Sequence, residues 1–355
     1  MPSPIGLDIG SSSITAVQIA PSRRGPAVLE RVGRVPVPPG ALRDGEIIAP
    51  DIVGAALREL WATAGLRGRR VALGVSNQQV VVRQVDLPYL PDKELRQSLP
   101  FQVDEAIPIP VDQAILDFHV IETFANDQGE RFSRILLVAA LRDMVDNLMA
   151  AVAAAGLEPV LVDLDAFAML RSLAPDSARG LLDEPAGELL VDVGSVVTNL
   201  LVHSEGVPRF VRILLLGGES ITQDLVATLD LSREDAERRK ADVGILDPVT
   251  LLSAGQDARL IAERGGRLIE EIRGSLDYYA AQMDATPVRR VILTGGGSRI
   301  PGLAERLSDA LGILVEPGHP LQELRIGTVG LTREQLVAMQ PDLAVAVGLA
   351  LGAGK

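Results

Sequence analysis

The chain has 355 residues, is 47% hydrophobic but only 3% aromatic, and carries a formal net charge of −13. That length predicts about two to three domains with aliphatic cores, and the acidity argues against nucleic acid as a partner, because phosphate backbones need a basic surface. With no cysteine, disulfides and thiolate metal sites are excluded, which fits a reducing cytoplasm.

In chain order, strands are predicted at Gly6–Leu7, Ile14–Ile19 and Ala27–Val35, with a turn at Arg23-Arg24-Gly25. Residues Asp51–Ala64 have helical apolar spacing through Trp61 and stop at Gly65. Strands follow at Arg70–Val75 and Val80–Asp86. A helix capped by Asp92 should be kinked or broken by Pro100. An extended Ala106–Pro110, strands at Ala114–Phe124 and Phe132–Ala140 around an Asn126–Gly129 turn, and a helix Asp143–Ala155 complete a compact β-α-β-β-α insert over residues 80–157. A strand Pro159–Val162 and a helix Asp165–Leu173 lead into a linker, Pro175–Gly187. The second half predicts a strand Phe210–Leu216 and helices at Ser220–Leu229, Ser232–Ala241 (capped by Ser232) and Asp257–Ala285. A strand Val288–Leu293, a helix with Pro301 in its first turn, and a small-residue helix Pro341–Leu351 end the chain. The longest apolar runs are too short to span a bilayer. The opening residues do not read as a signal peptide, so a soluble protein is expected.

Two stretches repeat one pattern. Ile5–Val17 contains Asp8, Gly10, Ser11, Ser12 and Ser13; Leu189–Val202 contains Asp192, Gly194, Ser195 and Thr198. Each is an apolar strand, then Asp-x-Gly-Ser, then a second apolar strand, as in a hairpin. Glycine permits a close backbone approach, such turns form anion-binding nests, and an Asp at the strand end can face a hard cation such as Mg²⁺. One Asp-x-Gly turn is commonplace. Two, each opening one half of the chain, point to a duplicated domain clamping a phosphate-bearing ligand.

Thr294-Gly295-Gly296-Gly297-Ser298 and Gly217-Gly218-Glu219 each follow a strand and precede a helix. That places bare backbone and helix N–H groups beside a ligand. Glu237 and Lys240 share a helix face, which alone reads as a solvated ion pair. The tail Gly348–Lys355 lacks the spacing and the Ser/Thr of a P-loop. No dinucleotide fingerprint follows the first strand, and no Ser/His/Asp triad is spaced along the chain.

This order of motifs resembles the actin, sugar-kinase and DnaK-type chaperone superfamily. Within it, the chain resembles the PilM family of type IV pilus assembly, relatives of the cell-division protein FtsA. The resemblance rests on Gly6–Ile14, Leu87-Pro88 with Asp92–Leu95, Ala106–Pro110 with Leu116–Phe118, Asp163–Ala168 and Thr294–Leu303. It implies an α/β, actin-like, duplicated ribonuclease H-like two-domain fold with an inserted α+β subdomain. The implied division is 1–79 (subdomain 1A, with 158–186 and 341–355), 80–157 (1C), 187–220 with 288–340 (2A), and 221–287 (2B). It also implies ATP or ADP with Mg²⁺. Gly10 to Ser13, and Gly194, Ser195 and Thr198, would form the phosphate motifs, with Asp8 and Asp192 facing the metal. Gly217 and Gly218 would lie near ribose, and Glu237, Lys240 and Gly295 to Ser298 would hold adenosine.

Active relatives place a Glu or Gln on the attacking water. Here that position is Asp165, one methylene shorter, so slow or no hydrolysis is expected. The implied partner is the cytoplasmic tail of a PilN-like inner-membrane protein, in a groove of the insert, with contacts among Val80–Leu90, Phe101–Ile109 and Met144–Val152. Other platform proteins and self-association fit as well, and the membrane is reached only through a partner. A brisk ATPase or sugar kinase is the enzymatic alternative, but no sugar-kinase signature is present. An FtsA-like filament protein is the other alternative. Its basic amphipathic anchor is not expected here, since the chain ends Gly352-Ala353-Gly354-Lys355.

Overall fold

The computed structural model describes residues 3–22, 25–174 and 186–354. Most of the Arg23-Arg24-Gly25 turn and of the Pro175–Gly187 linker therefore lies outside the described residues.

The first half opens with β1 (Ile5–Ile9), β2 (Ser13–Ala20) and β3 (Val28–Pro36), then a small hairpin of β4 (Leu42–Arg43) and β5 (Glu46–Ile47). Helix α1 (Pro50–Ala64) ends on Gly65 in the left-handed conformation, and β6 (Arg70–Val75) follows. Its apolar residues recur at helical spacing, so Val53, Ala56, Leu57 and Leu60 face the core together. The insert brings β7 (Val80–Pro88), α2 (Asp92–Gln102), β8 (Ala114–Ala125) and β9 (Arg131–Leu141), followed by α3 (Arg142–Ala154). The half closes with β10 (Glu158–Leu164) and α4 (Asp165–Leu173).

The second half has β11 (Gly187–Val193), β12 (Thr198–Ser204) and β13 (Val207–Leu214), then α5 (Glu219–Leu229), α6 (Arg233–Val243), α7 (Pro248–Leu251) and α8 (Gln256–Ala280). It continues through β14 (Val288–Thr294), α9 (Leu303–Leu311), β15 (Val315–Pro317), β16 (Arg325–Ile326), α10 (Arg333–Met339) and α11 (Ala344–Gly352).

The duplication is explicit in the sheets. One runs β10-β6-β1-β2-β3-β16, the other β13-β12-β11-β14-β15. In each, the first three strands form an antiparallel meander, and the next two add in parallel beside the first. Each half has its own aliphatic core, as a chain poor in aromatics requires. A third cluster joins them under the cleft, through Met169 and Leu170 of α4 against Leu190, Leu201 and Ile292. The insert is a three-stranded sheet, β7-β9-β8, whose one face packs on α2 through Leu95, Leu99, Ile135 and Leu137.

Several local expectations need correction. Asp92 is the first helical residue rather than the cap; Pro91 precedes it in extended geometry. Pro100 sits inside α2, which ends two residues later, so the missing N–H costs only a bond near the frayed end. The turn after β14 winds into a 3₁₀ segment, Gly296–Arg299, and α9 begins only at Leu303, which leaves Pro301 outside it. The C-terminal helix begins at Ala344, and α10 is an element beyond those expected from the sequence, with Thr332 and Gln335 forming a capping box at its start. Helix α3 packs on α1, burying Met144, Leu148 and Val152. That face is closed to the partner contacts expected of it.

The small residues of α11 follow from how closely it packs. A Cβ on Gly348 would stand 1.7 Å from the Ala168 carbonyl oxygen, and one on Gly6 would stand 1.9 Å from that of Ala346. Helix α11 thus lies almost in backbone contact with α4 and β1. Among the described residues, no single helix is long and apolar enough to cross a membrane.

Candidate functional site

The two Asp-x-Gly turns are built alike. Asp8 is paired with Thr15 across β1 and β2, and Asp192 with Asn199 across β11 and β12. The Gly10 N–H donates to the Ser13 carbonyl at 3.1 Å, and Gly194 N–H to the Val197 carbonyl at 2.9 Å. Both turns line one cavity between the halves. Asp8, Gly10, Ser11, Ser12 and Ser13 form one side, Asp192, Gly194 and Ser195 the other, with Asp165, Gly295 and Gly296 between them.

The cavity is acidic. Burial first, then the Asp192 and Asp342 carboxylates, push the Asp8 carboxyl up to about 7, against the pull of Arg34. Burial also raises Asp192, to about 6, although Asn199 donates to it at 3.5 Å. Asp165 is driven well above the carboxylate range by burial and by Asp8, Asp192 and Asp163. Its Oδ1 is buried without a hydrogen-bond partner. An orphaned carboxylate oxygen, and acids raised first by burial and then by one another's charge, make a place suited to a cation. No three His, Asp or Glu side chains among the described residues form a cage for an ion. That donor set fits a cation held mainly through water and ligand phosphates, as Mg²⁺ prefers.

The remaining sequence-predicted residues cluster beside the second turn. Gly217 is forced by proximity: a Cβ there would lie 2.4 Å from the Ser195 carbonyl oxygen. Gly218 N–H donates to the Gly194 carbonyl at 3.1 Å. Lys240 Nζ donates to the Gly218 carbonyl at 3.1 Å and to Thr222 Oγ1 at 2.7 Å, and pairs with Glu237 at 2.8 Å. Thr222 Oγ1 in turn donates to Glu237 at 2.6 Å. Burial opposes ionisation of Glu237, but the hydrogen bonds from Lys240 and Thr222 hold it below the usual range. The pair is therefore a fixed fixture of the α5–α6 junction, not two mobile side chains. Gly295 takes φ +85° and lies against Asp192, Gly297 packs on Val193, and Ser298 Oγ donates to the Gly295 carbonyl at 2.7 Å. Thr198 is fully buried and its hydroxyl donates to the Leu216 carbonyl, so it braces the turn from behind.

Sequence reasoning missed several cavity residues. Arg34 on β3 reaches Asp342 at 2.7 Å, and Arg299 reaches the same carboxylate at 3.2 Å, tying the two halves together. Gly74, Ser76 and Asn77 after β6 also line the cavity, as does Gly45 at the β4–β5 tip. The loop at the carboxyl end of a parallel strand was the available signal for Gly74 to Asn77. Arg34 and Asp342 stand 308 residues apart and left no local sign.

With this geometry in hand, the likenesses are informative. Residues 6–353 match the family model of the type IV pilus assembly protein PilM. The chain is 24% identical to the cell division protein FtsA of Bacillus subtilis over 345 residues, covering 86% of this chain and 76% of that protein. Among solved structures, a PilM-PilN type IV pilus biogenesis complex superposes with TM-score 0.86 and 29% identity over 99% of both chains. MreB5 of Spiroplasma citri bound to ADP superposes with TM-score 0.54 and 12% identity, over 99% of this chain and 96% of that one. The duplicated sheets and these likenesses identify an actin-like fold.

Proposed function

The chain belongs to the PilM family of type IV pilus assembly proteins, and from that premise we propose that it binds ATP or ADP with Mg²⁺ between its halves and acts as a nucleotide-dependent adaptor for a PilN-like inner-membrane protein. The observation that carries the reading is the pair of equivalent Asp-x-Gly turns facing one another across a single cavity. Gly10 to Ser13, with Gly194 and Ser195, would cradle the phosphates. Asp8 and Asp192 would hold the waters of Mg²⁺, whose charge neutralises the phosphates and relieves the carboxylates. Gly217 and Gly218 would pass the ribose. The Glu237–Lys240–Thr222 fixture and Gly295 to Ser298 would hold adenosine.

Turnover is proposed to be slow. Asp165 is one methylene shorter than the Glu or Gln that active relatives place on the attacking water, and burial, then Asp8, Asp192 and Asp163, raise its carboxyl well above the ordinary range; both oppose its positioning and activating a water. On the partner side, the neighbouring PilM-PilN complex supports a PilN-like tail as ligand. Phe101 on α2, 87% exposed, is an apolar contact available to it. The subdomain division 1A, 1C, 2A and 2B stands as part of this proposal, as does a place beside the inner membrane reached through that partner.

Thermal melting tests the nucleotide reading. Millimolar Mg-ATP is expected to raise the midpoint by several degrees, as binding to the folded state requires. ATP with a chelator should give a much smaller rise. Equal midpoints with and without Mg-ATP would remove the nucleotide from the account.

A further inference from the structure

A second concavity lies away from the acidic cavity, between the insert and the second half. It encloses about 1210 Å³, larger than the ~300–1,000 Å³ of small-molecule sites. Its walls concentrate what the rest of the chain lacks. The protein has six Phe, three Tyr and one Trp, and four of those rings, Phe124, Phe210, Tyr278 and Tyr279, line this groove. Phe210 packs between the two tyrosines, with centroids 6.0 and 5.8 Å away. Tyr278 remains 62% exposed and the neighbouring Met283 99% exposed.

The charges are as informative as the rings. Arg134 is fully engaged, with Asp86 at 2.8 Å, Glu122 at 2.8 Å and Asp284 at 2.7 Å. The last of these ties the insert to the loop after α8. Those carboxylates are thereby spent, and of the acids lining the groove Asp127 alone is left without an ion pair among the described residues. Arg83 on β7 and Arg212 on β13 are exposed and form no ion pair among the described residues. Arg209 reaches Glu122 only at 3.9 Å, and its Nε is buried with no acceptor. In a chain of net charge −13, three under-used guanidinium groups converge beside an aromatic patch. Aromatic residues, Met and Arg are the types enriched where protein partners bind most tightly. The groove is also flanked by β7 and β13, each an edge strand of its sheet.

We propose that this groove docks an extended segment of a partner protein in which carboxylates alternate with apolar side chains. The apolar residues would seat against Phe210, Tyr278 and Met283. The carboxylates would meet Arg83, Arg209 and Arg212. The occupant is thus distinguished by its acidity, and the proposal does not depend on nucleotide binding.

The test is selection of a phage-displayed library of random 12-residue peptides on the full-length chain. An acidic, apolar consensus is expected. A synthetic peptide of that consensus should lose at least tenfold in affinity for Arg212→Glu and for Tyr278→Ala. Both side chains are exposed, so both variants should melt as the parent does and keep its Mg-ATP response. Three results would overturn the proposal: no enrichment, a basic consensus, or peptides that bind both variants as tightly as the parent. Dimerisation of the parent that Tyr278→Ala abolishes would equally overturn it, by making a second copy the occupant.

Discussion

Gly295→Ala is expected to cost about 2–4 kcal/mol of stability and to abolish Mg-ATP binding. Gly295 adopts φ +85°, a conformation that costs a side-chain-bearing residue about 1–3 kcal/mol. Its Cβ would also stand 2.4 Å from both Asp192 Oδ1 and the Val193 carbonyl oxygen. Neither neighbour can yield easily, because Val193 lies in the central strand of its sheet and Asp192 at the cavity wall. The turn must move away from Asp192, carrying Gly296 out of the site. Gly296→Ala is the matched control. Its Cβ would meet Asp342 Oδ1 at 3.2 Å and Arg299 Nη1 at 3.8 Å, both side-chain ends, with a negative φ, so a loss under about 1 kcal/mol is expected. Urea midpoints of the two variants check this, and equal losses would refute the argument.

Asp8→Asn is expected to make the nucleotide-free protein more stable, by an amount that depends on pH, while destroying its response to Mg-ATP. A carboxyl whose folded pKa lies above its unfolded value binds its proton more tightly in the folded chain. Stability is then lost as pH rises. For Asp8 the window runs from 3.8, its ordinary value, to about 7. Each unit is worth about 1.4 kcal/mol, but Asp8 keeps some contact with water in the cavity, so we expect about 2 kcal/mol. Asparagine removes the charge and keeps the shape. Urea unfolding should show parent and variant alike near pH 4, and the variant about 2 kcal/mol more stable at pH 8. A difference that is flat across that range, or of opposite sign, would mean that Asp8 is not strained. The same substitution should weaken Mg-ATP binding at least tenfold, because the carboxylate that is a burden without a cation is then missing when the cation arrives. A residue that destabilises the fold yet is required for binding is expected at a functional site.

What the sequence disclosed and withheld follows from the range of each interaction. The Asp8 and Asp192 hairpins are legible because strand, turn and strand are contiguous in the chain, and the same Asp-x-Gly-Ser pattern occurs twice. Helix α1 was legible from its period and from Gly65. The Glu237–Lys240 pair was visible as helix neighbours, but the hydroxyl that locks it, Thr222, comes from α5 and could not be read from α6. Helix α10 was hidden by its polarity, although Thr332 and Gln335 spelled its cap. Helix α3 adjoins the insert in sequence but buries Met144 and Leu148 on α1, a choice made by tertiary packing. The Arg34–Asp342–Arg299 bridge joins three segments drawn together only by the finished fold.

The central claim is that the cleft holds a metal-bound nucleotide against carboxylates that carry protons without it. Calorimetric titration of Mg-ATP into the full-length protein at pH 6.5, in two buffers of different ionisation enthalpy, tests both parts together. With Asp8 raised to about 7 and Asp192 to about 6, the arriving cation should lower both. Binding should therefore release protons, with less release from Asp8→Asn at ligand concentrations high enough to saturate it. Absence of binding, or binding with the same heat in both buffers, would contradict the account.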